Sequence, residues 1–126
     1  MTVEWIERDN KRFQILYGFG RIQRTKVLFY SLLPDACKRA QIANPDITEK
    51  ELIAKASPQE ILEYNQKLGV ELAKLVLNDA PDWDKTKVSV EEYVDSYLPE
   101  DVGLEIANRM RDVVAGNTLT PDEKKT

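Results

Sequence analysis

Three times between residues 48 and 92, a serine or threonine stands three residues before a glutamate. The pairs are Thr48 with Glu51, Ser57 with Glu60, and Ser89 with Glu92. In such a capping box, the hydroxyl oxygen accepts a hydrogen bond from the backbone N–H of the glutamate, whose side chain accepts one from the backbone of the cap residue. These bonds satisfy donors that have no partner within a helix. Each pair therefore predicts the start of a helix, and the chain is predicted to be mainly α-helical.

The segment after Ser57 has apolar side chains at helical spacing. Pro58 suits the first helical position, and the helix is predicted to end around residues 78–81. Gly69, inside this segment, either costs about 1 kcal/mol relative to alanine or marks a close approach of another helix. The predicted apolar face consists of Ile61, Leu68, Leu72, Leu75 and Val76.

Two further helices are predicted on either side of Pro99, which stops the first and can begin the second. The helix before it has an apolar stripe of Val90, Tyr93, Val94, Tyr97 and Leu98. The helix after it has a predicted buried face of Val102, Ile106, Met110, Val113 and Val114. Gly116 is placed to cap the C-terminus of this last helix.

The first residues favour strands instead. "TVEWIE" and "RFQILY" alternate apolar and polar side chains around "RDNK", a pattern typical of a β-hairpin. After "YGFG", residues 21–44 have helical spacing, and Pro34 predicts a kink or a break near Leu33.

The predicted fold class is mainly α, a small bundle of about five helices with a short N-terminal β-hairpin (residues 1–18). Residues 1–116 are predicted to form a single domain. Residues 117–126, "NTLTPDEKKT", have no apolar stripe and are predicted to be a disordered polar tail.

Histidine is absent and there is a single cysteine, Cys37. Histidine is the commonest general base and metal ligand, so catalysis is disfavoured and no cofactor or metal is expected. One cysteine excludes an internal disulfide and indicates a reducing compartment, and Cys37 is predicted to be a small core residue. Neither a bilayer-spanning apolar run nor a signal peptide is recognised. We therefore expect no membrane contact and a cytoplasmic location.

Charge is distributed unevenly along the chain. Residues 1–43 contain eight Lys/Arg and four Asp/Glu, whereas residues 44–126 contain ten and eighteen, so the two parts have net charges of +4 and −8. A basic part and an acidic part can attract each other between copies, so self-association is expected. Arg21, Arg24 and Phe29 are candidate partner-binding residues in the basic part. Basic side chains beside aromatic rings can also bind nucleic acid, although the chain as a whole is acidic.

The stretch "KVSVEEYVDSYLPEDVG" contains five carboxylates and two tyrosines. Glu91, Glu92 and Asp95 have two interpretations. They cap and solubilise helices, where the positive helix end favours acids, or they form a carboxylate-based active site, which requires a deep pocket with perturbed pKa values. We favour the first. Tyr93, Tyr97 and Leu98 are further candidate partner-binding residues, since a short helix does not easily bury both tyrosines; the alternative is that they belong to the core.

Residues 13–116 resemble the small helical tail assembly chaperones of long-tailed bacteriophages. The resemblance lies in the helix order and in "YGFGRIQRTKVLFYSLL", "KASPQEILEYNQKLGVELAKLVL" and "VSVEEYVDSYLPEDVGLEIANRMRDVVAG". It implies a protein that coats the tape measure protein during tail assembly in the host cytoplasm and leaves as the tube subunits arrive. Such a chaperone needs a groove for an amphipathic helix and no catalytic residue.

Three functions follow from the sequence, in order of preference. The first is a non-catalytic protein-binding assembly factor with a long helical partner. The second is a small nucleic-acid-binding regulator that uses the basic N-terminal third, through Arg21, Arg24 and Lys26. The third is a carboxylate-based enzyme.

Overall fold

The computed structural model describes residues 1–118, with side chains described up to residue 116. The elements in chain order are β1 (Thr2–Arg8), β2 (Lys11–Tyr17), α1 (Phe19–Ser31), α2 (Asp35–Ala43), α3 (Glu49–Ile53), α4 (Pro58–Val76), β3 (Leu77–Asp79), α5 (Val90–Ser96) and α6 (Glu100–Thr118). The predicted class, mainly helical with an N-terminal β-hairpin, is confirmed. Most of the predicted disordered tail, residues 119–126, lies outside the described residues.

The hairpin pairs β1 with β2 in antiparallel register from Thr2–Tyr17 to Arg8–Lys11. Its turn consists of Asp9 and Asn10, which have φ values of 50° and 64°. Two consecutive residues with positive φ make the turn whose twist matches that of the flanking strands, and Asn and Asp tolerate this conformation well.

A third strand was not predicted. α4 ends at Val76 rather than at residues 78–81, and β3 continues directly from it, antiparallel to β2. Asn78 Nδ2 donates a hydrogen bond to Gln14 Oε1 at 2.6 Å. Three residues are too few to show the alternating pattern of a strand, which is why the sequence did not predict β3. The strand conformation is set by the pairing with β2.

All three predicted helix starts are confirmed. The side chains of Thr48, Ser57 and Ser89 each accept a hydrogen bond from a backbone N–H three residues later. At Ser57 the reciprocal bond is also present, since Glu60 Oε1 accepts from the backbone N–H of Ser57 at 2.9 Å. These bonds lower the pKa of Glu60, because they stabilise the carboxylate form.

The predicted break at Pro34 is confirmed, whereas the predicted cap at Gly116 is wrong. α1 ends at Ser31 and α2 begins at Asp35, with Pro34 at its N-cap position. α6 continues past Gly116 to Thr118. None of the glycines among the described residues has a positive φ, which a glycine cap of the predicted kind requires.

The core lies between one face of the sheet and helices α4 and α6. Trp83, from the loop between β3 and α5, packs against it. Val113, Val114, Ile61 and Leu75 are only half-buried, so the predicted apolar faces extend beyond the core. The fully buried large side chains include Ile6, Phe13, Ile15, Leu68, Leu72, Val76, Val102, Ile106 and Met110. Within residues 1–118, none of the helices combines the length and the apolar character that crossing a membrane requires.

Candidate protein-binding surfaces

The three candidate residues on α1 do not share a face. Arg24 is exposed, and its Nε donates to the backbone carbonyl of Gly20 at 3.3 Å. Arg21 is half-buried. Phe29 is half-buried and packs against the core, and its backbone carbonyl accepts a hydrogen bond from the hydroxyl of Tyr64 at 2.9 Å. Successive helical residues are rotated by about 100°, so nearness in sequence did not bring the three together.

Phe29 lines an open cavity of about 440 Å³ that we call the central groove. Helices α1, α2, α3, α4 and α6 all contribute to it. Ile53 of α3 is 44% exposed in this lining. Its polar side chains include Arg111, whose Nη2 donates to Asn65 Oδ1 at 2.7 Å. The larger apolar side chains of the lining are Phe29, Leu33, Leu52, Ile53, Ile61, Tyr64 and Val114.

Cys37 also lines the central groove, but with a packing role. Its side chain is buried, and Sγ donates to the backbone carbonyl of Leu52 at 3.2 Å, which ties α2 to α3. Burial raises the pKa of this thiol, so it stays protonated and poorly nucleophilic. The prediction of a core cysteine is confirmed.

The solvent side of α1 carries an apolar stripe that the sequence analysis missed. We define the outer face of α1 as Phe19, Gln23, Val27 and Tyr30, which are spaced by three or four residues and so lie on one face. Phe19, Val27 and Tyr30 are all exposed, Phe19 by 80%. α1 contains three basic residues and no acid. The i, i+4, i+8 spacing was visible, but α1 has apolar residues on two sides, and spacing alone does not show which side faces the core.

Tyr93 of α5 and Tyr97, the residue that follows this helix, belong to a stack of three aromatic rings. Trp83 and Tyr93 have ring centroids 5.1 Å apart, and Tyr93 and Tyr97 have centroids 6.0 Å apart. Tyr93 is buried, with 6% exposed, whereas Tyr97 is 60% exposed. The expected partial exposure is thus found for Tyr97 and the half-buried Leu98, but not for Tyr93. The stack borders an open cavity of about 400 Å³.

Leu98 points to a different cavity, a shallow depression of about 210 Å³ between α4 and α6, here called the α4–α6 groove. Its apolar walls include Val70, Leu98 and Leu104. Gly69 lies in the lining, and a Cβ atom added there would meet nothing within 4 Å. Thus Gly69 does not mark a close helix approach, and the space beside it is open.

The acids of α5 do not form the pocket that an active site would need. Glu91 and Glu92 are exposed in the first turn of the helix, and Asp95 pairs with Lys74 at 3.3 Å. None of the three lines the cavities described above. Among residues 1–118, no group of three or more Cys, Asp or Glu side chains is arranged to hold a metal ion.

No model of a known protein family, no curated protein and no solved structure matches this chain. The resemblance to tail assembly chaperones therefore stays a prediction.

Proposed function

We propose that this chain is a non-catalytic protein-binding assembly factor that holds an amphipathic helix of its partner in the central groove. The observation that carries the proposal is the groove itself, about 440 Å³ of open space lined mainly by apolar side chains from five helices. An amphipathic helix binds in this way, because its apolar face fills a hydrophobic groove while its polar face stays in water.

The nature of the partner follows from the resemblance stated above. A tape measure protein is a long helical protein with much apolar surface, and a chaperone that covers this surface would keep it from aggregating before the tail tube forms. The proposed site of action is the cytoplasm, that of the host cell if the chain is viral. Phe29 is the candidate residue with the clearest place in this proposal, since it lines the central groove.

Ile53 tests the central groove, because it is exposed within the lining and a charge there would oppose an apolar helix face. The probe is a labelled amphipathic peptide of about 20 residues, long enough for several helical turns, with leucine at i, i+3, i+4 and i+7. Fluorescence anisotropy measures its binding to the full chain. Ile53→Asp should weaken binding at least tenfold.

Ile42→Asp is the matched control. Ile42 is 71% exposed on α2 and lies outside the groove lining, so this variant should bind the peptide as the wild type does. Equal binding by Ile53→Asp and the wild type would overturn the proposal, as would equal binding of a scrambled peptide.

Nucleic acid is the alternative ligand, since Arg21, Arg24 and Lys26 of α1 lie on the same helix as the exposed rings of Phe19 and Tyr30. Such a combination can contact phosphates and stack bases. The net charge of −4 disfavours it. Gel shifts with single-stranded and duplex DNA at low ionic strength decide the matter: affinity that falls steeply with salt would support the alternative.

A further inference from the structure

We propose that copies of this chain associate head to tail, with Phe19 of one copy inserted into the α4–α6 groove of the next. This contact goes beyond the proposed function, because it needs no partner protein and its two surfaces share a single residue, Asn65, with the lining of the central groove. Two surfaces carry the inference: the outer face of α1 and the α4–α6 groove.

The size of the groove fits the side chain. Phe19 is 80% exposed and stands at the first position of α1. The α4–α6 groove has a volume of about 210 Å³, and a dry apolar cavity of roughly 150 Å³ is enough to bind benzene. The groove is apolar on both sides, with Val70 on α4 and Leu104 on α6. A phenyl ring would therefore exchange exposure to water for contact with apolar walls.

The charges around the two surfaces are complementary. α1 contributes Arg21, Arg24 and Lys26 and has no acid. The segment 89–101, which forms one wall of the groove through Leu98, contains five acids and no base. These acids are Glu91, Glu92, Asp95, Glu100 and Asp101.

Within a single copy, most of these charges have no partner of opposite sign. Asp95 pairs with Lys74, and Asp101 with Arg8. The other three acids and the three basic residues of α1 make no ion pair among residues 1–118. Lys26 follows Gln23 by three residues and precedes Tyr30 by four, so it borders the outer face of α1. Glu100 lies in the lining of the α4–α6 groove itself. An unpaired cation beside one surface and an unpaired anion in the other favour contact between copies and set its orientation.

The geometry of assembly follows from the identity of the surfaces. The outer face of α1 and the α4–α6 groove consist of different residues, so the contact is heterologous: each copy uses one surface of each kind. Such contacts build either a closed ring or an open chain. Glu100 is exposed and Lys26 is half-buried, so both charges are in contact with solvent, and the association should weaken as salt screens them.

Two variants each remove one half of the contact. Phe19→Ser removes the inserted ring from an exposed position. Gly69→Leu fills the groove without a steric clash at Cβ, because the space there is open. Sedimentation velocity at low ionic strength should show concentration-dependent oligomers for the wild type and monomers for each variant. Ile42→Ser, which removes a similarly exposed apolar side chain from α2, should assemble as the wild type does.

A mixture of the two variants gives the decisive measurement. The Phe19→Ser chain keeps an open groove and the Gly69→Leu chain keeps its Phe19, so one contact remains possible. The mixture should form heterodimers and nothing larger. Leu104→Ser, which removes an exposed part of the groove wall, should weaken assembly at least tenfold, and circular dichroism checks that each variant is folded.

Three results would overturn the inference: a wild type that stays monomeric at every concentration, a Phe19→Ser chain that assembles normally, or a mixture that stays monomeric. None of these results tests the proposed function, which is measured by peptide binding to the central groove. Conversely, suppose that the wild type assembles normally and yet binds the peptide no better than Ile53→Asp does. That result would remove the proposed function and leave this contact in place.

Discussion

The carboxylate of Glu105 on α6 holds the guanidinium of Arg8 on β1, with Oε1 and Nη2 2.9 Å apart. Its other oxygen lies 3.2 Å from Nε of Arg109. Arg109 in turn donates to the backbone carbonyl of Trp5 at 3.2 Å. One side chain thus connects the edge of the hairpin to the last helix, which is how a hairpin that would be marginal alone is fastened to the bundle.

The two guanidinium groups lower the pKa of Glu105 through hydrogen bonds, first from Arg8 and then from Arg109. A carboxyl group with a folded-state pKa below its unfolded value adds stability above the unfolded value and loses it as pH falls through the folded-state pKa. At neutral pH, Glu105→Gln should lower the free energy of unfolding by about 1 kcal/mol, since the pairs are partly exposed. The difference from the wild type should shrink below the ordinary pKa of 4.5.

Urea unfolding of both proteins at neutral and acidic pH measures this effect. Asp112→Asn is the control, because Asp112 is exposed on the same helix, away from its first turn, and makes no ion pair among the described residues. A Glu105→Gln penalty of the same size at both pH values would contradict the electrostatic explanation.

For Tyr17 we expect the opposite pH dependence: its contribution to the free energy of unfolding is lost as pH rises in the alkaline range. Its hydroxyl donates a hydrogen bond to the carboxylate of Glu4, and burial, followed by this neighbour, raises its pKa to about 12. The unfolded chain loses the tyrosine proton near pH 10, while the folded chain keeps it up to about 12. The wild type should therefore lose stability across this interval relative to Tyr17→Phe, which has no proton to lose.

The measurement is the difference in unfolding free energy between the wild type and Tyr17→Phe, below pH 10 and near pH 12. Tyr30→Phe serves as the comparison, since Tyr30 is exposed on the outer face of α1. If the Tyr17→Phe difference stays constant with pH, the hydroxyl does not titrate as described.

Gly69→Ala should stabilise the protein by about 1 kcal/mol, because glycine in a helix interior costs that amount relative to alanine. The new methyl group would meet no atom within 4 Å, so no clash offsets the gain. Thermal or urea unfolding measures it. Gly18→Ala should bring no such gain, because Gly18 is the N-cap of α1 with an extended backbone, and alanine is a poorer N-cap than glycine. Destabilisation by Gly69→Ala would show that α4 packs more closely there than the structure indicates.

The sequence predicted those features that depend on residues close together in the chain. The start of α4 depends on Ser57 and Glu60, which exchange hydrogen bonds directly. The break at Pro34 depends on a ring that cannot continue a helix. Prediction failed at β3, where a distant segment decides, because Leu77 and Asp79 pair with β2. It failed also at Gly116, which stays helical rather than adopting the cap conformation.

For the candidate surfaces too, the sequence predicted local features and missed those that depend on segments far apart in the chain. Periodicity predicted a helix from residue 21 onward and left Phe19 in the turn before it; it did not show that Phe29 would line the central groove while Phe19, the first residue of α1, stayed exposed. The sequence alone determined where helices begin, because their first hydrogen bonds join residues three positions apart. Only the tertiary structure decided which apolar sides remain uncovered and where grooves open. A groove is the space left between helices that are far apart in the chain, and local hydrogen bonding carries no information about that space.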